Sequence, residues 1–260
     1  MSEIADFSAS KLLSLYRDRQ LSPTEATKAA LERINTYNSQ VNAFAIVDEK
    51  TALAEAEASE VRWLNGNPLG LVDGIPFTVK DLLLTKGLPT RRGSKAITSN
   101  QPWPEDAPAV ARLREQGAVL LGKTTTSEFG WKGVTDSPLT GITRNPWNTD
   151  LTPGGSSGGA AVAAALGMGT PTVAFPVGQN RPQSSINNPQ RDWAPFTYPF
   201  NLTQQPAASV PCGFTTNGLP VGIQIVAAKY RDLLVLQAAK AYESISPFIM
   251  PLELNRNVLK

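Results

Sequence analysis

A chain of 260 residues, 41% of them hydrophobic, is long enough to bury a core of its own. Its 24 lysines and arginines against 22 aspartates and glutamates leave a net charge of +2, which gives no electrostatic footing for nucleic acid or an anionic membrane. With no histidine and a single cysteine, Cys212, it cannot build a Ser-His-Asp triad, a His/Cys metal set or an internal disulfide.

The chain begins Met1-Ser2-Glu3-Ile4-Ala5-Asp6, without the basic start and apolar run of a secretory signal, and no apolar run is long enough to cross a bilayer. A cytoplasmic protein is the expectation. The pair Arg91-Arg92 reads as a solvated loop.

The first third reads as helices. Leu12, Leu13, Leu15 and Tyr16 share one side of a short amphipathic helix starting near Ser8 or Ser10. Ser22-Pro23-Thr24-Glu25 is a capping box with proline in the first helical position, and Ala26, Ala30, Leu31 and Ile34 follow at helical spacing. A third helix is predicted over 50–64, before the turn Asn65-Gly66-Asn67-Pro68. Residues 76–84 read as a strand carrying Lys80 toward its end, with a turn at Lys86-Gly87-Leu88-Pro89. Helical spacing over 107–116 stops at Gly117, and 118–122 then reads as a buried strand. That alternation belongs to an α/β sheet.

Thr152-Pro153-Gly154-Gly155-Ser156-Ser157-Gly158-Gly159 leads into an alanine-rich helix over 160–166. Beyond it, 171–176 reads as a short strand and 179–191 as an irregular loop. A strand over 219–227 and a helix over 232–242 follow, the helix with Leu233, Leu236, Ala239 and Tyr242 on one face. No internal repeat is visible.

The glycine-serine segment carries the chemistry. Glycines at 154 and 155 open backbone angles closed to other residues, and those at 158 and 159 let the next helix approach the turn. Backbone N–H groups ahead of a helix favour a developing negative charge. A flexible linker has the same composition, but the flanking Asn145-Pro146-Trp147-Asn148 turn and the committed helix argue for a catalytic scaffold. A phosphate-cradling loop would need a lysine after the glycines, and none follows. Without imidazole the natural base is Lys80, in Gly74-Ile75-Pro76-Phe77-Thr78-Val79-Lys80-Asp81. It must be largely neutral to act, which burial among Val79 and Leu82-Leu83-Leu84 would favour. Asp81 beside it would instead hold it charged in an ion pair. Spacing alone leaves both readings open.

These segments resemble the amidase signature family, which cleaves amides with a lysine and two serines. The resemblance covers most of the chain. It runs through residues 70–81, Gly93-Ser94, Gly122-Lys123-Thr124-Thr125-Thr126-Ser127-Glu128-Phe129, Asn145-Pro146-Trp147 and Gly154-Gly155-Ser156-Ser157-Gly158-Gly159. It resumes over 195–243, notably at Pro206-Ala207-Ala208-Ser209-Val210-Pro211 and Gly218-Leu219-Pro220-Val221-Gly222-Ile223-Gln224. It implies one α/β domain over 1–260, with a mixed β-sheet flanked by helices. It further implies hydrolysis of a carboxamide C–N bond through an acyl-serine, without metal or organic cofactor. Lys80 would be the base, and Ser156, after a cis peptide bond, the serine that relays protons to the nucleophile. Gly154, Gly155, Ser157 and Gly158 would scaffold the turn, and Glu128 and Phe129 would lie on the substrate side. The partner implied is a small-molecule amide, with no nucleic acid and no membrane. Oligomeric state is not specified, and a stand-alone amidase and an amidotransferase subunit both remain open as ancestors.

The family's nucleophile lies in an Asp-x-Gly-Gly-Ser loop shortly after the alanine-rich helix. Here Gly169-Thr170 runs directly into what resembles a much later part of that fold, as if central elements had been deleted near 169–171. The position that spacing assigns to the attacking serine is Asn180, which cannot form an acyl-enzyme, and Ser184 and Ser185 lack flanking glycines. The expectation is an inactive amidase relative with an incomplete site, an incomplete core and exposed sheet edges. A non-catalytic binding remnant and a deleted product of an intact amidase gene are the alternatives.

Overall fold

Side-chain caps set the N-terminal helices. Ser8 accepts from the Lys11 amide and opens α1 (Ala9–Arg17), which buries Leu12 and Tyr16. The Tyr16 hydroxyl donates to Gly74 O at 3.1 Å, and its ring tilts against Trp63. Ser22 and Glu25 bond reciprocally, at 3.1 and 2.8 Å, to start α2 (Pro23–Val41) behind its leading proline. Asp48 accepts from the Thr51 amide and opens α3 (Glu49–Leu64). The structure is a computed structural model that describes residues 3–166, 203, 205–216 and 218–247.

A three-stranded mixed sheet lies at the centre of the first 166 residues. Its middle strand, β3 (Val119–Thr124), is buried along its whole length. It pairs antiparallel with β1 (Phe44–Val47) and parallel with β2 (Pro76–Lys80). Alternation along β3 explains why Val119, Leu120 and Leu121 are all apolar. Val119 and Leu121 join Leu31, Ile34, Phe44, Ala52 and Val162 in one cluster, formed by α2, α3 and the helix after the glycine-serine turn. Leu120 packs the other way, with Val79 and with Val110 of α4 (Pro108–Glu115). Both faces are covered, as a parallel pair requires. A small ribbon, β4 (Asp136–Ser137) with β5 (Gly141–Ile142), leads toward the glycine-serine turn and α5 (Gly158–Ala165).

Toward the C-terminus, β6 (Ala207–Phe214) and β7 (Pro220–Val226) form an antiparallel hairpin, with α6 (Asp232–Ile245) packed on it. The face of α6 differs from the predicted one. Val235 is the buried residue, with Ala239 and Tyr242 half-buried at i+4 and i+7, whereas Leu233 and Leu236 are 67% and 63% exposed. Apolar spacing alone does not say which of two adjacent stripes the hairpin covers.

Among the described residues β2 pairs only with β3. Beside it an apolar cavity of about 530 Å³ opens between α1, α2, β2 and α5, lined by Leu12, Ala30, Ile34, Phe77, Leu121 and Leu166 among others. The strand expected over 171–176, the loop over 179–191, Asn180, Ser184, Ser185 and the join near 169–171 lie outside the described residues. No helix among the described residues is long and apolar enough to cross a membrane.

Candidate active site

Lys80 is the last residue of β2, and the chain turns immediately after it. The Asp81 amide continues the ladder to Thr124 O, and the Leu82 and Leu83 amides fold back onto Lys80 O at 2.7 and 3.1 Å. The strand therefore stops at 80, short of the predicted 84, and Lys80 stands at its end. Its Nζ donates to Ser156 Oγ at 2.7 Å and to Ser157 Oγ at 2.8 Å, 76 and 77 residues away. Burial holds its ammonium pKa below the ordinary lysine value. Among the described residues no carboxylate forms an ion pair with it.

Asp81, the alternative partner, faces elsewhere. Its carboxylate, 2% exposed, accepts from the Arg91 and Gly93 amides at 3.1 and 3.2 Å. It also lies 3.7 Å from the ammonium of Lys123. Lys123 is fully buried and donates to Leu83 O at 2.9 Å and Thr90 Oγ1 at 2.7 Å. Burial pushes the Lys123 pKa down to about 8, against the opposing pull of Asp81. Burial likewise raises the Asp81 carboxyl, with Lys123 and the two amides resisting. The Lys-Asp pair of the motif thus serves two lysines, with the carboxylate bound to the one further along the chain.

The glycine-serine turn is held from behind by Thr135. Its hydroxyl donates to Gly154 O at 3.0 Å and accepts from the Gly158 amide at 2.8 Å. Gly154 has φ 81°, which favours glycine, and the bond from Gly155 to Ser156 is cis. A Cβ on Gly155 would lie 2.5 to 2.9 Å from the backbone of Val134 and Thr135, so the turn presses directly on that segment. The segment is thus an ordered turn. Ser157 is exposed and Ser156 half-buried.

Glu128 and Phe129 belong to a one-turn 3-10 helix, Glu128–Gly130, next to this turn. A Cβ on Gly130 would lie 3.6 Å from Ser156 Oγ. The Glu128 carboxylate accepts from the Ser94 hydroxyl at 2.7 Å, and the Phe129 amide bonds Arg92 O at 2.8 Å with its side chain 54% exposed. Both therefore lie on the site's flank. None of Lys80, Ser156, Ser157, Glu128 and Phe129 lines the apolar cavity beside β2. Sequence reasoning missed Lys123 and Thr135. A lysine inside an otherwise apolar buried strand was a legible signal for the first; Thr135 has no local signature. Among the described residues no group of three or more His, Cys, Asp or Glu could hold a metal ion.

Comparison with known proteins shows the family. The chain is 42% identical over 165 residues to a glutamyl-tRNA(Gln) amidotransferase subunit from Salinispora arenicola, covering 64% of this chain and 33% of that protein. It is 39% identical over 166 residues to the indoleacetamide hydrolase of Bradyrhizobium diazoefficiens, covering 63% and 31%. In solved structures it superposes on a bacterial aryl acylamidase of the amidase signature family with TM-score 0.61 and 30% identity, covering 65% of this chain and 35% of the other. For the native peptide amidase of Stenotrophomonas maltophilia the values are 0.57 and 32%, covering 62% and 35%. The chain spans about a third of the length of these relatives. The amidase family model matches it in two stretches, residues 25–172 and 169–236, and on that match the chain belongs to the amidase family, in its amidase signature branch.

Proposed function

We propose that the chain retains the proton-transfer half of a serine–lysine amide hydrolase and does not itself hydrolyse carboxamides. The observation that carries this reading is the placement of a half-buried lysine within hydrogen-bonding distance of two serines on a rigid turn. In the ancestral reaction Lys80, as the neutral amine, takes the Ser156 proton while Ser156 takes the proton of the nucleophilic serine. That serine's oxygen bonds to the carbonyl carbon of a small-molecule amide. The same relay, reversed, protonates the leaving amine, and the acyl-serine is then hydrolysed. No metal or organic cofactor enters any step.

The nucleophile is the missing member. The two family matches meet at 169–172, and the chain aligns with only about a third of its relatives' length, which supports an internal deletion there. Asn180 occupies the position that the family spacing gives the attacking serine. Losing nucleophile and oxyanion hole together removes most of the rate enhancement. The ancestor in this reading is a stand-alone cytoplasmic amidase. The indoleacetamide hydrolase among the relatives makes arylacetamides the first substrates to try.

The test is ammonia release from indole-3-acetamide, benzamide and glutamine, with purified chain against a Lys80→Met control. No release above that control is expected. Multiple turnovers abolished by Lys80→Met would overturn the inactive reading.

A further inference from the structure

Ser157 occupies the N-cap position of α5, where a serine ordinarily spends its hydroxyl on an amide of the first helical turn. Here it makes no such bond. Thr135 takes the Gly158 amide instead, at 2.8 Å, from a segment 23 residues upstream. The Ser157 hydroxyl is directed to Lys80, with 2.8 Å between Oγ and Nζ. Of the two serines on the lysine it is the exposed one. A reagent in solvent can therefore reach an oxygen that already touches a base. A helix whose N–H groups point toward the turn favours negative charge at that oxygen.

We propose that Ser157 is an acylation site of this chain, with Lys80 as its base, for activated esters and phosphonyl fluorides. The proposal rests on the reading of Lys80 given above and adds an activity to it. A neutral amine has one lone pair and two N–H bonds, so Lys80 can accept from Ser157 while donating to Ser156. As Ser157 Oγ bonds to the carbonyl carbon of a p-nitrophenyl ester, its proton passes to Lys80 Nζ. The bond to the leaving oxygen breaks, and p-nitrophenolate departs as an anion. In the second step water attacks the acyl group and gives up a proton to solvent, and Lys80 returns its own to Ser157 Oγ. A carboxamide does not follow this course, because an amine leaves only when protonated and the chain lacks the loop that would stabilise the oxyanion.

The experiment treats the whole chain with a biotinylated fluorophosphonate and reads intact mass, then maps the modified peptide. Circular dichroism establishes that each sample is folded. One adduct per chain on Ser157 is expected. Ser157→Ala should abolish it. Lys80→Met should slow it by about 100-fold or more, in line with the usual contribution of a positioned general base. Should Lys80→Met fail to fold, the wild-type pH profile replaces it: the labelling rate should rise through a single ionisation below that of free lysine. A folded chain that stays unlabelled overturns the proposal, as does labelling elsewhere, or labelling of Ser157 that ignores both Lys80 and pH. Ammonia release tests the earlier reading separately. An unlabelled chain that releases none removes this proposal alone, whereas amide turnover removes the earlier reading whatever the label shows.

Discussion

Replacing Lys123 by methionine should cost more stability than any surface change in this chain, and the structure gives the size of the effect. Lys123 is fully buried and makes three polar contacts, with Leu83 O, Thr90 Oγ1 and the Asp81 carboxylate. Methionine fills the volume but pairs with none of them. Thr90 can still donate to Leu83 O, at 3.2 Å, so the hydroxyl and carbonyl are not both orphaned. Asp81 keeps its two amide donors but loses its ion-pair partner Lys123, while remaining 2% exposed. Breaking a buried pair by removing one partner costs about 3–5 kcal/mol. A domain of ordinary stability has only about 5–15 kcal/mol in total.

The assay is urea denaturation followed by circular dichroism, for Lys123→Met, Asp81→Asn and the double variant. The double variant should recover part of the loss, because asparagine leaves no bare charge, giving a coupling energy of about 2 kcal/mol. The pH dependence supplies a second check. Without Lys123, burial raises the Asp81 carboxyl further, so its folded pKa lies above the unfolded value. The stability deficit should then be smallest below about pH 4 and grow as pH rises through the folded pKa. A single-variant cost under about 1 kcal/mol, or strictly additive effects, would refute the buried-pair account.

Three further outcomes follow from the same geometry. The wild-type chain should gain stability between about pH 8 and 10: with the folded Lys123 pKa near 8 and the unfolded value at 10.5, the unfolded state binds more protons in that window. The Lys123 part of the gain is about 3 kcal/mol, and the rise should level off near pH 10, where the raised Tyr16 hydroxyl begins to work in the opposite sense; thermal melts across pH 7.5–10.5 read it. Gly159→Ala should destabilise by about 1–3 kcal/mol despite alanine's better helix propensity, because its Cβ would sit 2.5 Å from Thr125 N and 2.6 Å from Ala43 O, and urea midpoints decide the sign. Thr135→Val should cost about 1–2 kcal/mol through the lost cap, and fluorophosphonate labelling at Ser157 should fall with it, since that hydroxyl bonds the turn on both sides, at Gly154 O and at the Gly158 amide.

Where one local rule dominated, the fold was legible. The capping box at Ser22 and Glu25 fixed the start of α2 to the residue, and Gly117, at φ 82°, ended α4 where the glycine rule placed it. The strands that escaped notice are those whose local rules conflict. Pro211 and Gly213 argue against a strand over β6, yet the ladder accommodates them at a register shift between the two. β1 is four residues long and follows α2 directly, announced only by Asn42 at φ 51°. In the site, Lys80 and the serines could be read because they sit in a motif with a chemical purpose. Thr135 could not, since its role exists only through contacts with residues 19 and 23 positions away.

The Lys80-Asp81 dipeptide shows how a period-two backbone resolves what spacing leaves open. Neighbours on an extended strand point to opposite sides, so a lysine and an aspartate in sequence cannot readily pair with each other. Each looks for a partner on its own side: Asp81 meets Lys123 and the amides of the 91–93 turn, and Lys80 meets the Ser156 and Ser157 hydroxyls. The aspartate that threatened to hold Lys80 charged is instead committed to a second, deeper lysine. A base needs that separation. Burial lowers the Lys80 pKa, no carboxylate among the described residues pairs with it to restore it, and the hydroxyls it touches are those a neutral amine can deprotonate. The same carboxylate also ties the 91–93 turn to the end of β2, and Ser94 in turn bonds Glu128, two residues before Gly130, which lies against Ser156. Charge separation and positioning are therefore one arrangement, and it lies wholly within the first 166 residues.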